Sequence, residues 1–398
     1  MTHKILVVDD EPDWETIILQ NFKKQIQQKK WEFVFARNGL EALAILKINP
    51  GIDIIILDYM MPKMDGLAFL NKLNETDNPA IKTIVVTAFG DNDKIRKAMN
   101  EGAFDFLTKP IDFKDLEITI NKALKQVEII KEALKSRDEL AAMNRELEIA
   151  ARIQKAMLPG KFPPFPEHKE FDIFAQMIPA KKIGGDFYDF FFVDENQVAI
   201  AVGDVCGKGI PAALYMARTC IHLKSSALQF INPGECLFQL NKLLISENQA
   251  NENFSVTLFY GVLNIATGII KYAYAGHPAP FIAHGDGKIE SIAQEPWGSL
   301  SLAYFENSEY EVKEIQLQHG DTLIGYTDGL TDAENPAGNQ FNPDENQLKK
   351  FFEGANNMPL QEIVESRFTT INQFTDGAPQ TDDMTILALR YNGRSAEL

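Results

Sequence analysis

The residue that offers chemistry in this sequence is aspartate. Four short segments of the C-terminal half centre on it: GGDFYDFF with Asp186 and Asp189, GDVCGKG with Asp204, YTDGLTDA with Asp328 and Asp332, and TDDMTIL with Asp382 and Asp383. Carboxylates brought together without His or Cys suit Mg2+ or Mn2+ rather than zinc or copper. Two such ions, typically ~3.5–4 Å apart, can share a water, lower its pKa and present hydroxide in line to a phosphate. Gly184, Gly185, Gly203 and Gly329 beside these aspartates allow tight turns and close backbone approach. There is no G-x-S-x-G elbow, no cysteine-phosphatase loop and no H-E-x-x-H, so hydrolysis by metal-activated water is the reading left standing.

A second constellation occupies the first third. Asp9 and Asp10 end one apolar run, Asp58 another, Thr87 a third, and Lys109-Pro110 a fourth. Three carboxylates there could hold one hard divalent cation, with Asp58 free to attack a phosphoryl donor. Lys109 would pair with the phosphoryl oxygens, and Thr87 would hydrogen-bond them. A lone aspartate at a strand end is more often a cap or turn residue. Several polar groups at the correct successive strand ends argue for a site. For Asp189, Asp332 and Asp383 the turn or capping role weighs equally. For His277, between Gly276 and Pro278, a turn and packing role is preferred.

The elements that must position these groups follow from hydropathy. From Ile5 to about Leu124 short apolar runs alternate with amphipathic stretches, and runs such as Ile54 to Leu57 are apolar without alternation, as in strands covered on both faces. This predicts a doubly wound α/β domain over 1–124 with a five-stranded parallel sheet, its functional crevice at the carboxyl ends of the strands. From Phe113 to Leu158 no Pro or Gly interrupts a helical pattern. Leu116, Ile120, Leu124, Val127, Ile130 and Leu134 make one apolar stripe, and Leu140, Met143, Leu147 and Ala150 another, with polar residues 135–139 between them. Residues 125–158 are therefore expected as a helical linker, either a two-chain coiled coil or a single helix lying on its own domains. The prolines from Pro159 to Pro166 open a domain over 159–398. Strands are expected at FDIFAQMI, QVAIAVGDV, SVTLFYGVLN, IIKYAYAG, DTLIGYTDG and MTILALRY, with helical blocks over 211–246 and 359–375, an α+β layered fold.

Composition bounds the function. The 398-residue chain carries a net charge of −17, which argues against broad capture of nucleic acid. It has no apolar run near the ~20 residues of a membrane span and no secretory leader, so the cytoplasm is the expected address. Cys206, Cys220 and Cys236 match no zinc or disulfide pattern and are expected to be reduced.

The motifs LVVDD, LDYMMPKMDG, VTA and FLTKP resemble the signature of receiver domains of two-component response regulators. The resemblance implies phosphorylation of Asp58 by a histidine kinase or phosphotransfer protein. It also implies Mg2+ held by Asp10, Asp58 and the Met60 carbonyl, with Asp9 acting through water. Thr87, Lys109 and Phe106 would form the switch, Phe106 standing where tyrosine is common. From Leu147 to Leu389 the four aspartate motifs, together with LEIAARIQKAMLP and AGHPAP, resemble the PPM superfamily of metal-dependent protein phosphatases, in its RsbU-like and SpoIIE-like branch. Carried over, Asp186, Asp204, Asp328, Asp382 and the Val205 carbonyl would hold two Mn2+ or Mg2+ ions in a PPM-type α/β sandwich. The chain would then be a serine/threonine protein phosphatase controlled by Asp58. Its implied substrate is a phosphorylated anti-sigma-factor antagonist of the STAS type, and a homodimer through the linker is expected. Lys181 and Lys182 stand near the place where many relatives carry a phosphate-binding arginine, and the second residue of the terminal pair is Asp383 rather than Asn. GGDFYDFF is superficially similar to the loop of diguanylate cyclases, but Phe187 replaces the required acidic residue. A non-catalytic scaffold is the other alternative, against which the retention of all four carboxylates speaks.

Overall fold

The computed structural model describes residues 2–76, 78–88, 92–248, 254–292, 300–341 and 344–393. The chain divides into two compact units, 1–143 and 144–398.

In the first unit the strands β1 (His3–Val8), β2 (Trp31–Ala36), β3 (Ile52–Asp58), β4 (Lys82–Ala88) and β5 (Asp105–Lys109) form one parallel sheet in the order β2-β1-β3-β4-β5. Every residue of β3 is buried, as expected of a central strand covered on both faces. The helices are α1 (Asp13–Asn21), α2 (Lys23–Gln27), α3 (Gly39–Ile48), α4 (Gly66–Asn74), α5 (Asn92–Asn100) and the start of α6 (Phe113–Met157). Asn38 and Asp65 start α3 and α4 by accepting hydrogen bonds from the amides of Glu41 (3.1 Å) and Ala68 (2.8 Å). The expected doubly wound fold is therefore present, with the chemistry-bearing ends of β1, β3, β4 and β5 on one edge.

Helix α6 runs 45 residues, as the absence of Pro and Gly predicts. Its first stripe is buried from Leu116 through Val127, while Leu140 and Met143 of the second stripe are exposed. Asp53, at the opening of β3 and only 4% exposed, anchors the early helix. Its carboxylate takes Lys131 of α6 as an ion-pair partner, and its other oxygen takes His3 Nδ1 at 2.9 Å and the Lys4 amide at 3.3 Å.

The second unit stacks two antiparallel sheets. One, in the order β13-β10-β9-β8-β7, combines β7 (Phe187–Asp194), β8 (Gln197–Val205), β9 (Val256–Asn264), β10 (Ile269–Ala275) and β13 (Lys313–Gln316). The other, β12-β11-β14-β15-β6, combines β6 (Phe171–Ile178), β11 (Phe281–Ala283), β12 (Ile289–Ser291), β14 (Thr322–Tyr326) and β15 (Met384–Tyr391). Helices α7 (Ile210–Gln229) and α8 (Pro233–Glu247) cover the first sheet, and α10 (Leu360–Thr375), with α9 (Glu345–Phe351) before it, packs on the second. The layered α+β reading holds. The helical block expected over 211–246 is two helices, because Asn232 caps a new start and Pro233 occupies its first turn. Strand β7 was hidden in the GGDFYDFF motif: its residues Phe187 to Phe190 are all buried, so it lacks the alternation that marks a half-exposed strand. Pairing of Phe187 with Gly203 and of Tyr326 with Ile386 puts the aspartate-bearing ends of β7, β8, β14 and β15 at one end of the sandwich.

Substituting Lys131→Ala removes the ammonium from a buried carboxylate. Lys131 itself is half-exposed, so the expected loss is discounted to about 1–2 kcal/mol. Urea unfolding of the first unit checks it.

Candidate metal centres

In the first unit Asp9, Asp10 and Asp58 each bring a carboxylate oxygen within 4.8 Å of the others, the one such group of three found among the described residues. Asp9 and Asp58 are buried at the ends of β1 and β3, and Asp10 is exposed. The free oxygens are fixed locally: Asp9 accepts the Glu11 amide at 2.9 Å and Asp58 the Met60 amide at 3.1 Å. Lys109, at the end of β5, reaches across to Asp58 at 2.6 Å and to Asp9 and Glu11 at 3.2 Å each. Burial works against the ammonium, but the hydrogen bond and charge of Asp58 outweigh it and hold the Lys109 pKa above the ordinary lysine value. Burial pushes the Asp9 carboxyl up to about 6, against the pull of the Glu11 amide and Lys109. Thr87 is buried at the neighbouring strand end, and Phe106 on β5 is 37% exposed.

In the second unit Asp186 is the buried member, 1% exposed. It precedes β7, and Oδ2 accepts hydrogen bonds from Thr327 Oγ1 (2.6 Å) after β14 and Thr385 Oγ1 (2.7 Å) of β15. The Thr327 hydroxyl in turn accepts the Thr385 amide at 2.9 Å, so the three groups form a closed triangle across both sheets. Asp204 ends β8, Asp328 opens the turn after β14, and Asp382 precedes β15. Burial raises the Asp186 pKa well above the carboxylate range, and Asp204 raises it further. Burial also pushes Asp204 up to about 7, helped by the charges of Asp328 and Asp382. Asp328 is raised by burial and then by Asp332 and Asp382, although its surface opens to solvent. These four carboxylates repel one another across one basin, wider than the trio of the first unit. Oxygen donors with uncompensated negative charge suit hard divalent cations.

Asp383 is a structural residue of this basin. It is 5% exposed, and its carboxylate accepts the amides of Ala180 (2.8 Å) and Gly185 (2.6 Å), which fixes the loop leading to Asp186. The glycines serve packing rather than left-handed turns. A Cβ at Gly184 would lie 2.3 Å from Asp383 Oδ2, and one at Gly329 would lie 1.9 Å from the Asp383 carbonyl oxygen. Asp189 points elsewhere: its buried carboxylate pairs with the half-exposed Lys224 of α7 at 2.9 Å. His277 packs as expected: Nδ1 lies 2.9 Å from Thr257 Oγ1, and burial lowers its pKa to about 3, so the ring is neutral.

The two lysines considered for phosphate differ in placement. Lys182 pairs with Glu148 of α6 at 2.9 Å, which turns its ammonium toward the helix, and Lys181 is exposed. Among the described residues Lys208, in GDVCGKG, meets the basin, 3.0 Å from Asp382 Oδ2. Sequence reading passed over it because one lysine in a glycine-rich loop carries no spacing signal.

Gln154 of α6 was missed as well. It is 6% exposed; Nε2 donates to the Gly184 carbonyl at 2.6 Å and Oε1 accepts the Gly184 amide at 3.1 Å. The signal was present: Gln154 is a polar residue continuing the stripe of Leu147 and Ala150 at helical spacing. A residue of the long helix thus holds both backbone groups of the residue two before Asp186.

Residues 194–392, half of the chain, match the family described as Stage II sporulation protein E (SpoIIE), and residues 5–121 match the response regulator receiver domain. The SpoIIE match begins after Asp186. The chain is 30% identical over 246 residues to phosphoserine phosphatase RsbU of Bacillus subtilis, covering 62% of this chain and 70% of that protein. It is 29% identical over 331 residues to protein IcfG of Synechocystis sp., covering 70% of this chain but 48% of that protein, so it spans about half the length of that relative. The SiaA-PP2C domain of Pseudomonas aeruginosa is similar in fold, with a TM-score of 0.56 at 20% identity over 64% of this chain and 98% of that domain. No helix among the described residues is long and apolar enough to cross a membrane.

Two outcomes are expected. Asp204 holds its proton to about 7 in the folded chain against an ordinary 3.8, and Asp186 shifts in the same direction. The folded state therefore binds more protons between these values. Stability of the metal-free protein should fall as pH rises through that window and level off above it, and excess Mg2+ should flatten the decline, as urea titrations at several pH values would show. Gln154→Ala leaves two buried backbone groups of Gly184 unpaired and should cost about 1–3 kcal/mol, read from the same unfolding curves.

Proposed function

Because the chain belongs to the SpoIIE family and carries a response regulator receiver domain, we propose that it is a response-regulator phosphatase in which phosphorylation of Asp58 controls hydrolysis of phosphoserine or phosphothreonine on a partner protein. The observation that carries this reading is the basin of Asp186, Asp204, Asp328 and Asp382, in which burial and then neighbouring aspartate charges raise the pKa of Asp186, Asp204 and Asp328, an arrangement that calls for cations. The name of the Bacillus subtilis relative, a phosphoserine phosphatase, supports the same reaction class.

Asp186, Asp204, Asp328, Asp382 and the Val205 carbonyl would hold two Mn2+ or Mg2+ ions. When bound, such ions lower the pKa of an attacking water and offset the charge that builds on the phosphoryl oxygens. The residues of the chain set the stage. Thr327 and Thr385 aim Asp186 and favour its charged form against the burial that raises its pKa, Asp383 fixes the loop before it, and Lys208 stands where a phosphate oxygen can replace Asp382 as its partner. In the overall reaction a water oxygen bonds to phosphorus, the bond from phosphorus to the serine or threonine oxygen breaks, and the freed alcohol takes a proton.

At the receiver, Asp10, Asp58 and the Met60 carbonyl would hold Mg2+, with Asp9 acting through water. Transfer from the phosphohistidine of a kinase or phosphotransfer protein breaks a phosphorus–nitrogen bond and forms one to an Asp58 oxygen. Lys109, already 2.6 Å from that carboxylate, would then pair with the phosphoryl group, and Thr87 and Phe106 would rearrange. Helix α6 is the proposed transmitter, since one residue of it, Lys131, engages the receiver sheet and another, Gln154, holds Gly184 beside the metal basin. Exposed Leu140 and Met143 suit a homodimer through this helix, within a linker proposed to span 125–158 between domains at 1–124 and 159–398. The proposed substrate is a phosphorylated anti-sigma-factor antagonist of the STAS type.

One assay tests the pair of claims. With Mn2+ present, purified protein should hydrolyse p-nitrophenyl phosphate and change its rate after treatment with a small phosphodonor. Asp328→Asn should lower turnover at least 100-fold with the fold intact, and Asp58→Ala should keep basal turnover while losing the response to the donor. Full turnover by Asp328→Asn would remove that residue from the metal site; an unaltered donor response in Asp58→Ala would remove the proposed input.

A further inference from the structure

Beside the aspartate basin the second unit opens a cavity of about 370 Å3 that the reaction above does not use. Its floor is aromatic: the rings of Phe281 and Tyr326, from β11 and β14, stack with centroids 5.8 Å apart. Its lining is also acidic, with Asp332 after β14 and Asp344 and Glu345 at the start of α9. Among the described residues no lysine or arginine lines it. Lys349, one turn along α9, holds Glu345 at 2.8 Å, which leaves the three lining carboxylates negative.

A second feature is independent of the carboxylates. Tyr326 is only 6% exposed and lines the cavity, yet its hydroxyl has no hydrogen-bond partner among the described residues. The oxygen is not one of those sealed from solvent without a partner, so it opens into the cavity, where a bound group can reach it. Its environment is that of an acceptor awaiting a donor, with the Glu345 charge close enough to raise its pKa beyond what burial does. Position joins the cavity to the basin: the Asp332 amide donates to the Asp328 carbonyl at 2.8 Å, so one turn of chain carries a residue of each.

We propose that this cavity is a specificity subsite that takes a lysine or arginine side chain of the phosphoprotein substrate, near its phosphorylated residue; the proposal rests on the phosphatase reading. The aliphatic stem would lie on the Phe281 and Tyr326 rings, and the cationic head would donate to the Tyr326 hydroxyl and meet the carboxylates of Asp332 and Glu345. Other occupants fit less well. An acidic or phosphate group is repelled by the lining carboxylates, an apolar side chain leaves the phenol without a partner, and a bare divalent ion finds an aromatic floor where it needs oxygen ligands. The net charge of −17 works in the same direction, drawing basic segments to the protein.

The test uses the full-length protein with Mn2+ and two kinds of substrate. p-Nitrophenyl phosphate reports the chemistry alone. A set of phosphoserine peptides, identical except for a single arginine moved stepwise to either side of the phosphoserine, is compared with a neutral parent. At one or two positions arginine should raise kcat/KM about tenfold, chiefly through KM. Glu345→Gln and the volume-conserving Tyr326→Phe should each remove most of that gain, with the aryl phosphate and the neutral parent turned over as before. If arginine has no effect at any position, or if its gain survives both substitutions, the subsite is overturned while aryl phosphate turnover leaves the phosphatase reading standing. Failure of the wild-type protein on both kinds of substrate removes the phosphatase reading and the subsite with it.

Discussion

Asp186 is the constraint around which the second unit is built. A carboxylate 1% exposed is expensive to keep charged, and this one is held by two threonine hydroxyls from the opposite sheet that offset part of that cost. Neither hydroxyl could be supplied by β7 itself, so the two sheets must stack in one register for the site to exist. The arrangement makes folding and site assembly the same event: whatever shifts β14 or β15 against β7 strands a buried charge. Gly184 and Gly329 belong to the same constraint, since the Asp383 atoms that fix this loop occupy the space a side chain would need.

The two aspartate clusters of the chain solve the repulsion of carboxylates differently. In the receiver Lys109 spans Asp9 and Asp58, so a close trio persists with an ammonium at its edge. In the second unit Lys208 touches Asp382, and the shared charge of the basin is left to burial and raised pKa values.

Helix α6 is placed to support the basin. A glutamine that donates to and accepts from a single glycine replaces the strand partner that Gly184 lacks, and does so from an element that also carries Lys131. The coupling is a hydrogen-bond pair rather than an apolar contact, so it is directional: rotation or sliding of the helix by a fraction of a turn breaks both bonds together.

Much of this was legible in the residues. Unalternating apolar runs determined the buried parallel sheet, Gly- and Pro-free composition determined the length of α6, and aspartates at the ends of apolar runs marked both clusters, with glycine beside Asp186, Asp204 and Asp328 in the second. Strand β7 escaped because Asp189 breaks its apolar run, which then matches neither an alternating nor a continuous strand pattern, and the break between α7 and α8 lay in one cap and one proline within an apolar block. What only the tertiary structure decided is which polar groups meet. Thr327 and Thr385 are unremarkable in sequence and stand 141 and 199 residues from Asp186. Lys182 and Lys208 are equally basic, but one faces a helix and the other the basin. Periodicity encodes how a segment meets solvent, which is a local property; the partner of a buried polar atom depends on sheet stacking and register, which no segment holds by itself.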